Sequence, residues 1–122
     1  MQEVHREVID GVTYTVSIDF DGTEVRGNAS ACGDDAVDKR YEDEIIKRLD
    51  DGDDWAWALV RVRAEVEGHS ADEYLGGCTY KDTKEFVEDG YYADMKSEAL
   101  KQLRTTVERA YKALHKEEVG CR

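Results

Sequence analysis

Residues 12–20, VTYTVSIDF, alternate without a fault. Val12, Tyr14, Val16, Ile18 and Phe20 fall on one side; Thr13, Thr15, Ser17 and Asp19 fall on the other. A period of two over nine residues predicts a half-buried strand. Asp-Gly pairs bracket it at 10–11 and 21–22, and Asp-Gly favours tight hairpin turns. A two-residue turn at Asp21-Gly22 would pair Ile18 with Val25 and keep the apolar face intact. A two-residue turn at Asp10-Gly11 would set Glu7 opposite Tyr14 and His5 opposite Val16, placing charge toward the core. A three-residue turn, Ile9-Asp10-Gly11, pairs Val8 with Val12 and Val4 with Val16. A one-residue slip inverts every side chain, so the apolar pattern favours this second register. The expectation is a three-stranded meander over 3–9, 12–20 and 23–31.

The period then changes. Val37, Tyr41, Ile45 and Leu49 recur every four residues beside Ile46, which predicts a helix capped by Asp34 or Asp35 and ended by Gly52. Residues 55–66, WAWALVRVRAEV, read as a long strand. Ala56, Ala58, Val60, Val62, Ala64 and Val66 form one face; Trp55, Trp57, Leu59, Arg61, Arg63 and Glu65 form the other. YLGGCTY (74–80) reads as a returning strand after a loop around 68–73. Asp82 to Glu85 has the spacing of a capping box for a short helix ending at Gly90. A final helix over 91–117 carries the stripe Tyr92, Met95, Ala99, Leu103, Val107, Ala110 or Tyr111, and Leu114. The predicted class is α+β. The chain is read as a single domain, 1–122, in the order β-β-β-α-β-β-α-α. Its helices pack on one face of a mainly antiparallel sheet of about five strands.

Charge changes the picture. The 122 residues carry a net charge of −12, and 38% of them are charged, well above the roughly 25% usual for globular domains. Residues 1–54 hold sixteen acidic against six basic side chains, whereas residues 91–122 hold five against seven. A concentration of one sign predicts one acidic face, which repels nucleic acid or imitates it. Direct nucleic-acid binding is disfavoured because it needs clustered Lys and Arg. No apolar run approaches the roughly 20 residues of a membrane span. The charged start, MQEVHREVID, lacks a signal-peptide core, so a cytoplasmic location in a bacterial host cell is expected. Cys32, Cys78 and Cys121 are odd in number and unsuited in spacing to a disulfide framework or a zinc site.

VSIDFDGTEV (16–25) resembles the D-x-D-G-T signature of the haloacid dehalogenase superfamily. That resemblance would make Asp19 the nucleophile and Asp21 the acid/base of a magnesium-dependent phosphatase. The family's strand is central, parallel and apolar on both faces, whereas this one carries Thr13, Thr15 and Ser17. The context therefore favours a hairpin over an enzyme. His5, His69 and His115 are scattered, and Asp50-Asp51-Gly52-Asp53-Asp54 lacks the alternating ligands of a calcium loop. No cofactor, metal or catalytic residue is assigned.

Two features point to binding a protein. Asp34, Asp35, Asp38, Glu42, Asp43, Glu44, Asp50, Asp51, Asp53 and Asp54 crowd one helix and its ends. Such an array suits a basic channel that normally holds nucleic acid. Trp55, Trp57, Arg61 and Arg63 share one strand face and are of the residue types enriched in binding hot spots. From DDWAWALVRVRAEVEG through DEYLGGCTYKDTKEF to DGYYADMKSEALKQL, about residues 53–103, the chain resembles a group of small phage and prophage proteins. Their shared pattern is W-x-W, Y-L-G-G-C-[ST]-Y, Phe, then Y-Y-x-D-M-x-x-E-A-L. The resemblance implies a phage accessory origin. By analogy it also implies an inhibitor of host defence of the anti-CRISPR or anti-restriction kind. The expected partner is a host nucleic-acid-binding defence complex. A structural or regulatory phage module that dimerises through the Trp55/Trp57 strand is the second expectation.

Overall fold

The computed structural model describes residues 1–29 and 33–120, with side chains through residue 115. Four strands form one antiparallel sheet in sequential order: β1 (Gln2–Ile9), β2 (Val12–Phe20), β3 (Ala58–Val66) and β4 (His69–Cys78). Helix α1 (Asp35–Asp50) lies between β2 and β3 in sequence, and α2 (Thr83–Glu88) and α3 (Gly90–Gly120) follow β4. The α+β class and the antiparallel sheet are as the patterning predicted. Among the described residues the sheet has four strands because 23–29 is not a strand; the last two residues of the expected strand, 30 and 31, lie outside the described residues. Among the described residues, no helix is long and apolar enough to cross a membrane.

The missing strand has a local cause. A tight hairpin of the primed type needs positive φ at one or both turn residues, and neither Asp21 nor Gly22 has it. Instead the Asp21 carboxylate accepts from the Thr23 amide at 2.9 Å, an Asx turn that steers the chain out of the sheet. β3 takes the vacated edge of β2 and sets Val62 opposite Val16 and Val60 opposite Ile18. All four are buried, a denser apolar match than Val25 and Gly27 could offer.

The first hairpin corrects the expected register. Asp10 (φ 51°) and Gly11 (φ 81°) form a two-residue turn, pairing Ile9 with Val12, Glu7 with Tyr14 and His5 with Val16. The disfavoured arrangement is therefore the real one. The acid on this face is neutralised from α3: Lys96 Nζ donates to Glu7 at 2.7 Å and lies 4.2 Å from the Tyr92 ring centroid. His5 meets the same ring edge-on at 5.8 Å. Lys96, with Tyr92 and His5 lowering it further against the cost of burial, holds the Glu7 carboxyl below its ordinary range. A bulge at Val4 lets that side chain reach the core as well.

One face of the sheet builds the main core. Tyr14, Val16 and Ile18 of β2 and Ala58, Val60, Val62 and Ala64 of β3 meet Tyr92, Met95, Ala99 and Leu103 of α3. Ala99 is fully buried, and its single methyl lets α3 approach the sheet closely. α2 starts at Asp82, whose carboxylate accepts from the Glu85 amide at 2.9 Å, while Glu85 reaches back to the Lys81 amide at 3.1 Å. It seats Phe86 in an aromatic group with Trp55, Tyr80 and Tyr92, ring centroids 5.1–5.7 Å apart. α1 is capped by Asp34, which accepts from the Ala36 and Val37 amides. Its stripe is buried only in its second half, where Ile45 packs with Val25, Ala56 and Trp57 and is flanked by Ile46 and Leu49. Val37 and Tyr41, expected in the same stripe, are exposed.

β4 begins five residues earlier than the sequence suggested. A second two-residue turn, Glu67 (φ 50°) and Gly68 (φ 79°), joins it to β3. As an edge strand it is half-exposed along both sides, so its alternation is blurred.

Candidate functional site

The expected binding residues fall into three groups in space. The tryptophans leave the strand face on which the sequence placed them. β3 begins only at Ala58, and both indoles are buried, Trp55 at 6% exposure and Trp57 at 3%. Trp55 turns into the main core, where its Nε1 donates to Thr83 Oγ1 at 3.0 Å. Trp57 turns into the smaller cluster beneath α1, and its Nε1 donates to the Thr23 carbonyl at 2.8 Å. An outward Trp/Arg surface is thereby corrected: the rings join layers together and present nothing to a partner.

The W-x-W and Y-L-G-G-C-T-Y segments close on each other. The Tyr80 amide donates to the Trp55 carbonyl at 3.1 Å, and Thr79 Oγ1 donates to the Ala56 carbonyl at 2.8 Å. Leu59 stands against two residues, Gly76 and Gly77, in a bulge. Gly77 has φ +62°, and an added Cβ would lie 3.3 Å from the Trp57 ring. Its amide donates to Asp21 Oδ2 at 2.6 Å. These two segments are thus a structural lock between β3, β4 and the 21–29 segment.

The same lock engages the second aspartate of the D-x-D-G-T segment. One Asp21 oxygen accepts from Thr23 and the other from Gly77. Burial pushes this carboxyl up, but those amide donors outweigh it and bring it below its ordinary range. Asp19 is exposed and accepts from the next amide, Phe20, at 2.8 Å. The strand lies in an antiparallel sheet, unlike the central parallel strand of the phosphatase fold. Among the described residues, no group of three acidic, His or Cys side chains is arranged to hold a metal ion. Cys78 is buried, and burial, helped by the charges of Asp21 and Asp89, pushes its thiol up to about 11. It is a core residue with no thiolate at neutral pH. Cys32 and Cys121 lie outside the described residues.

Arg61 and Arg63 do share a face, the side of the sheet opposite α3. Arg63 is clamped by Asp72 through two bonds of 2.7 and 3.0 Å. That guanidinium holds the Asp72 carboxyl below its ordinary range, against the opposing effect of burial. Rows of the sheet read Arg6–Thr15–Arg63–Asp72 and Glu3–Ser17–Arg61–Tyr74. Thr15 and Ser17 are buried there, in a furrow between longer side chains. With Glu3, Asp19, Glu65 and Asp72 interleaved, the surface is mixed in sign, not basic.

The acidic array divides by role. Asp34 caps α1. Glu42 is buried, takes the Gly27 amide at 2.5 Å and the Arg26 guanidinium at 3.5 Å. Asp43 pairs with the same Arg26. Asp53 accepts from Arg48 Nε at 2.8 Å and from the Trp55 amide at 3.0 Å; Arg48 holds it below its ordinary range. Arg48 also donates to the Tyr80 carbonyl, tying α1 to the segment after β4. These four carboxylates fasten the helix and its flanking segments; Glu42 is buried, whereas Asp34 and Asp43 stay exposed beside those bonds. Asp38 is half-buried, whereas Asp35, Glu44, Asp50, Asp51 and Asp54 remain exposed. Sequence reasoning counted the charges correctly but could not see that Arg26 and Arg48 reach back to claim part of them.

Comparison of the chain with protein-family models, with curated proteins and with solved structures found no match in any of the three.

Proposed function

We propose that this is a non-enzymatic binding protein of phage accessory type that blocks a host nucleic-acid-processing defence complex through the exposed carboxylates of α1 and its C-terminal flank. The observation that carries this reading is the division of the acidic array. Five carboxylates, Asp35, Glu44, Asp50, Asp51 and Asp54, stay exposed after the structural ones are accounted for. They are borne on a helix, and the turn after it, held outside the main core by Ile45 and its neighbours. The 16-residue helix is about 24 Å long, comparable to roughly seven phosphate steps of one DNA strand at ~3.4 Å each. A protein channel that draws phosphates by counterion release would draw such a helix by the same physics.

The test reverses charge only where the fold does not use it. Glu44, Asp50, Asp51 and Asp54 replaced together by Lys should leave thermal unfolding close to that of the parent. Buried Glu42 keeps its contacts with Arg26 and Gly27 in that variant. Capture of a DNA-binding defence complex by tagged protein should fall at least tenfold, and free DNA should compete with the parent. Unchanged capture by the reversed variant would sink the acidic-face reading.

A further inference from the structure

We propose that the cleft between α1 and the junction of α2 with α3 seats one arginine side chain of a protein partner, its guanidinium stacked among tyrosines and drawn to Asp89. The cleft holds about 410 Å³. Its floor is the end of β4, where Gly76 and Gly77 bring bare backbone beside Cys78. Tyr41 of α1 stands on one side, and Tyr80 and Tyr91 stand on the other. Tyr80 is buried, whereas Tyr41 is 39% exposed and Tyr91 57%. Two of the three rings therefore keep surface free for a ligand.

Charge selects what enters. Glu85 and Asp89 line the cleft, and among the described residues no Lys or Arg does. Asp89 accepts from the Tyr91 amide at 2.9 Å. Burial pushes the Tyr80 hydroxyl up, and the Asp89 charge and its hydrogen bond add to that, so this carboxylate stands where the two tyrosines meet. The charges of Asp21 and Asp89 both reach the Cys78 thiol at the floor. The basic residues of adjoining segments are placed elsewhere. Arg48 is held by Asp53 and the Tyr80 carbonyl. Lys81 and Lys84 line a separate hollow that also holds Asp82 and Glu88. Arg40 lies about 100° around α1 from Tyr41.

A cation over a tyrosine face is attracted by the ring electrons, and a carboxylate at the ring edge adds a charge-assisted hydrogen bond. Guanidinium suits this cleft because it is flat, stacks on rings and offers several donors at once. Surfaces that hold nucleic acid present clustered arginines, so the identity of the partner rests on the α1 reading above. The cleft continues that surface, since Tyr41 and exposed Glu44 are neighbours on α1.

A magnetic-resonance titration of the full chain with the peptide acetyl-Gly-Arg-Gly-amide tests the cleft without the partner. The amide signals of Gly76, Gly77 and Cys78 should shift and saturate. The same peptide with citrulline, which keeps the shape and lacks the charge, should bind at least fivefold more weakly. Tyr41→Ala with Tyr91→Ala, both at exposed positions, should weaken the arginine peptide at least fivefold without changing the melting curve. Asp89→Asn, which keeps an acceptor for the Tyr91 amide, should weaken it as well; should that variant fail to fold, the tyrosine pair still decides. Equal binding of the two peptides, shifts confined to residues outside the cleft, no shifts at all, or indifference to the tyrosines would each overturn the proposal. Capture of the defence complex should also fall with the tyrosine pair, and capture indifferent to it would overturn the assignment to that partner. The charge-reversed α1 variant alters no residue that lines the cleft, so peptide binding and the acidic-face reading fail separately.

Discussion

Gly77 joins a bulge, a hydrogen bond to Asp21 and a close contact with Trp57 at one residue. Its φ of +62° suits glycine, and the Trp57 ring stands 3.3 Å from where a Cβ would be. Gly77→Ala is expected to cost on the order of 1–3 kcal/mol, read from chemical denaturation, because positive φ and the indole oppose the methyl together. Buried Cys78 should resist iodoacetamide at neutral pH in the native protein and react once unfolded; peptide mass mapping at Cys78 would show rapid native labelling if the site were open. The carboxylates set the pH response. Glu7, Asp53 and Asp72 all have folded-state values below the ordinary range. Between the folded and the ordinary values the unfolded chain binds more protons, so their contribution is complete above about pH 5 and disappears as pH falls through the lowered folded values. The urea midpoint should therefore hold from neutral pH to about 5 and drop below about 4. Asp72→Asn, which leaves Arg63 without its anion, should lower the plateau and flatten the drop.

At the scale of elements, packing partners decided what local pattern left open. The Asp10-Gly11 turn was legible as a turn, but its register was not. The apolar pattern alone favoured Val4 and Val8 inward, while Lys96, eighty-nine residues from Glu7 in sequence, makes the opposite register the better one. Lys96→Met removes the cation beneath β1. It should speed amide hydrogen exchange across residues 2–9 while the amides of β3 change little; uniform protection would show that the pair does not hold the strand. The contact between α3 and the sheet depends on small side chains. Ala99→Leu adds volume where Ala99 has no exposed surface, and is expected to destabilise by about 1–3 kcal/mol through overpacking. The absent strand at 23–29 belongs to this scale too: Asp-Gly permits either a hairpin or an Asx turn, and competition from β3 for the edge of β2 selected the latter.

Across the whole molecule, charge and apolar surface are distributed unevenly. Exposed carboxylates of the 34–54 array sit on α1 and its C-terminal flank, whereas the distal part of α3 carries exposed Tyr111 and Leu114. These are separate surfaces. The sheet face opposite α3 is a third, with Arg63 already engaged by Asp72. Raising salt should weaken α1-mediated capture steeply, since screened attraction supplies most of it. Capture that salt leaves unchanged would count against the contact assigned to α1.

Local period and local chemistry sufficed for the helices, for β2 and most of β3, for the cap at Asp82 and, to within one residue, the cap at Asp34, and for the apolar face from Tyr14 to Ile18. Each of these depends on residues a few positions apart. The acidic excess and its bias toward the first half were equally visible, because charge is a count. Only the tertiary structure assigned roles. It buried Trp55 and Trp57, committed Asp34, Glu42, Asp43 and Asp53 to the fold, and turned the Asp21 carboxylate toward Gly77. Those outcomes rest on pairings across fifteen to fifty-six residues as well as local ones, where burial makes an unsatisfied polar group costly and a paired one stable. Periodicity carries no information about such distant partners.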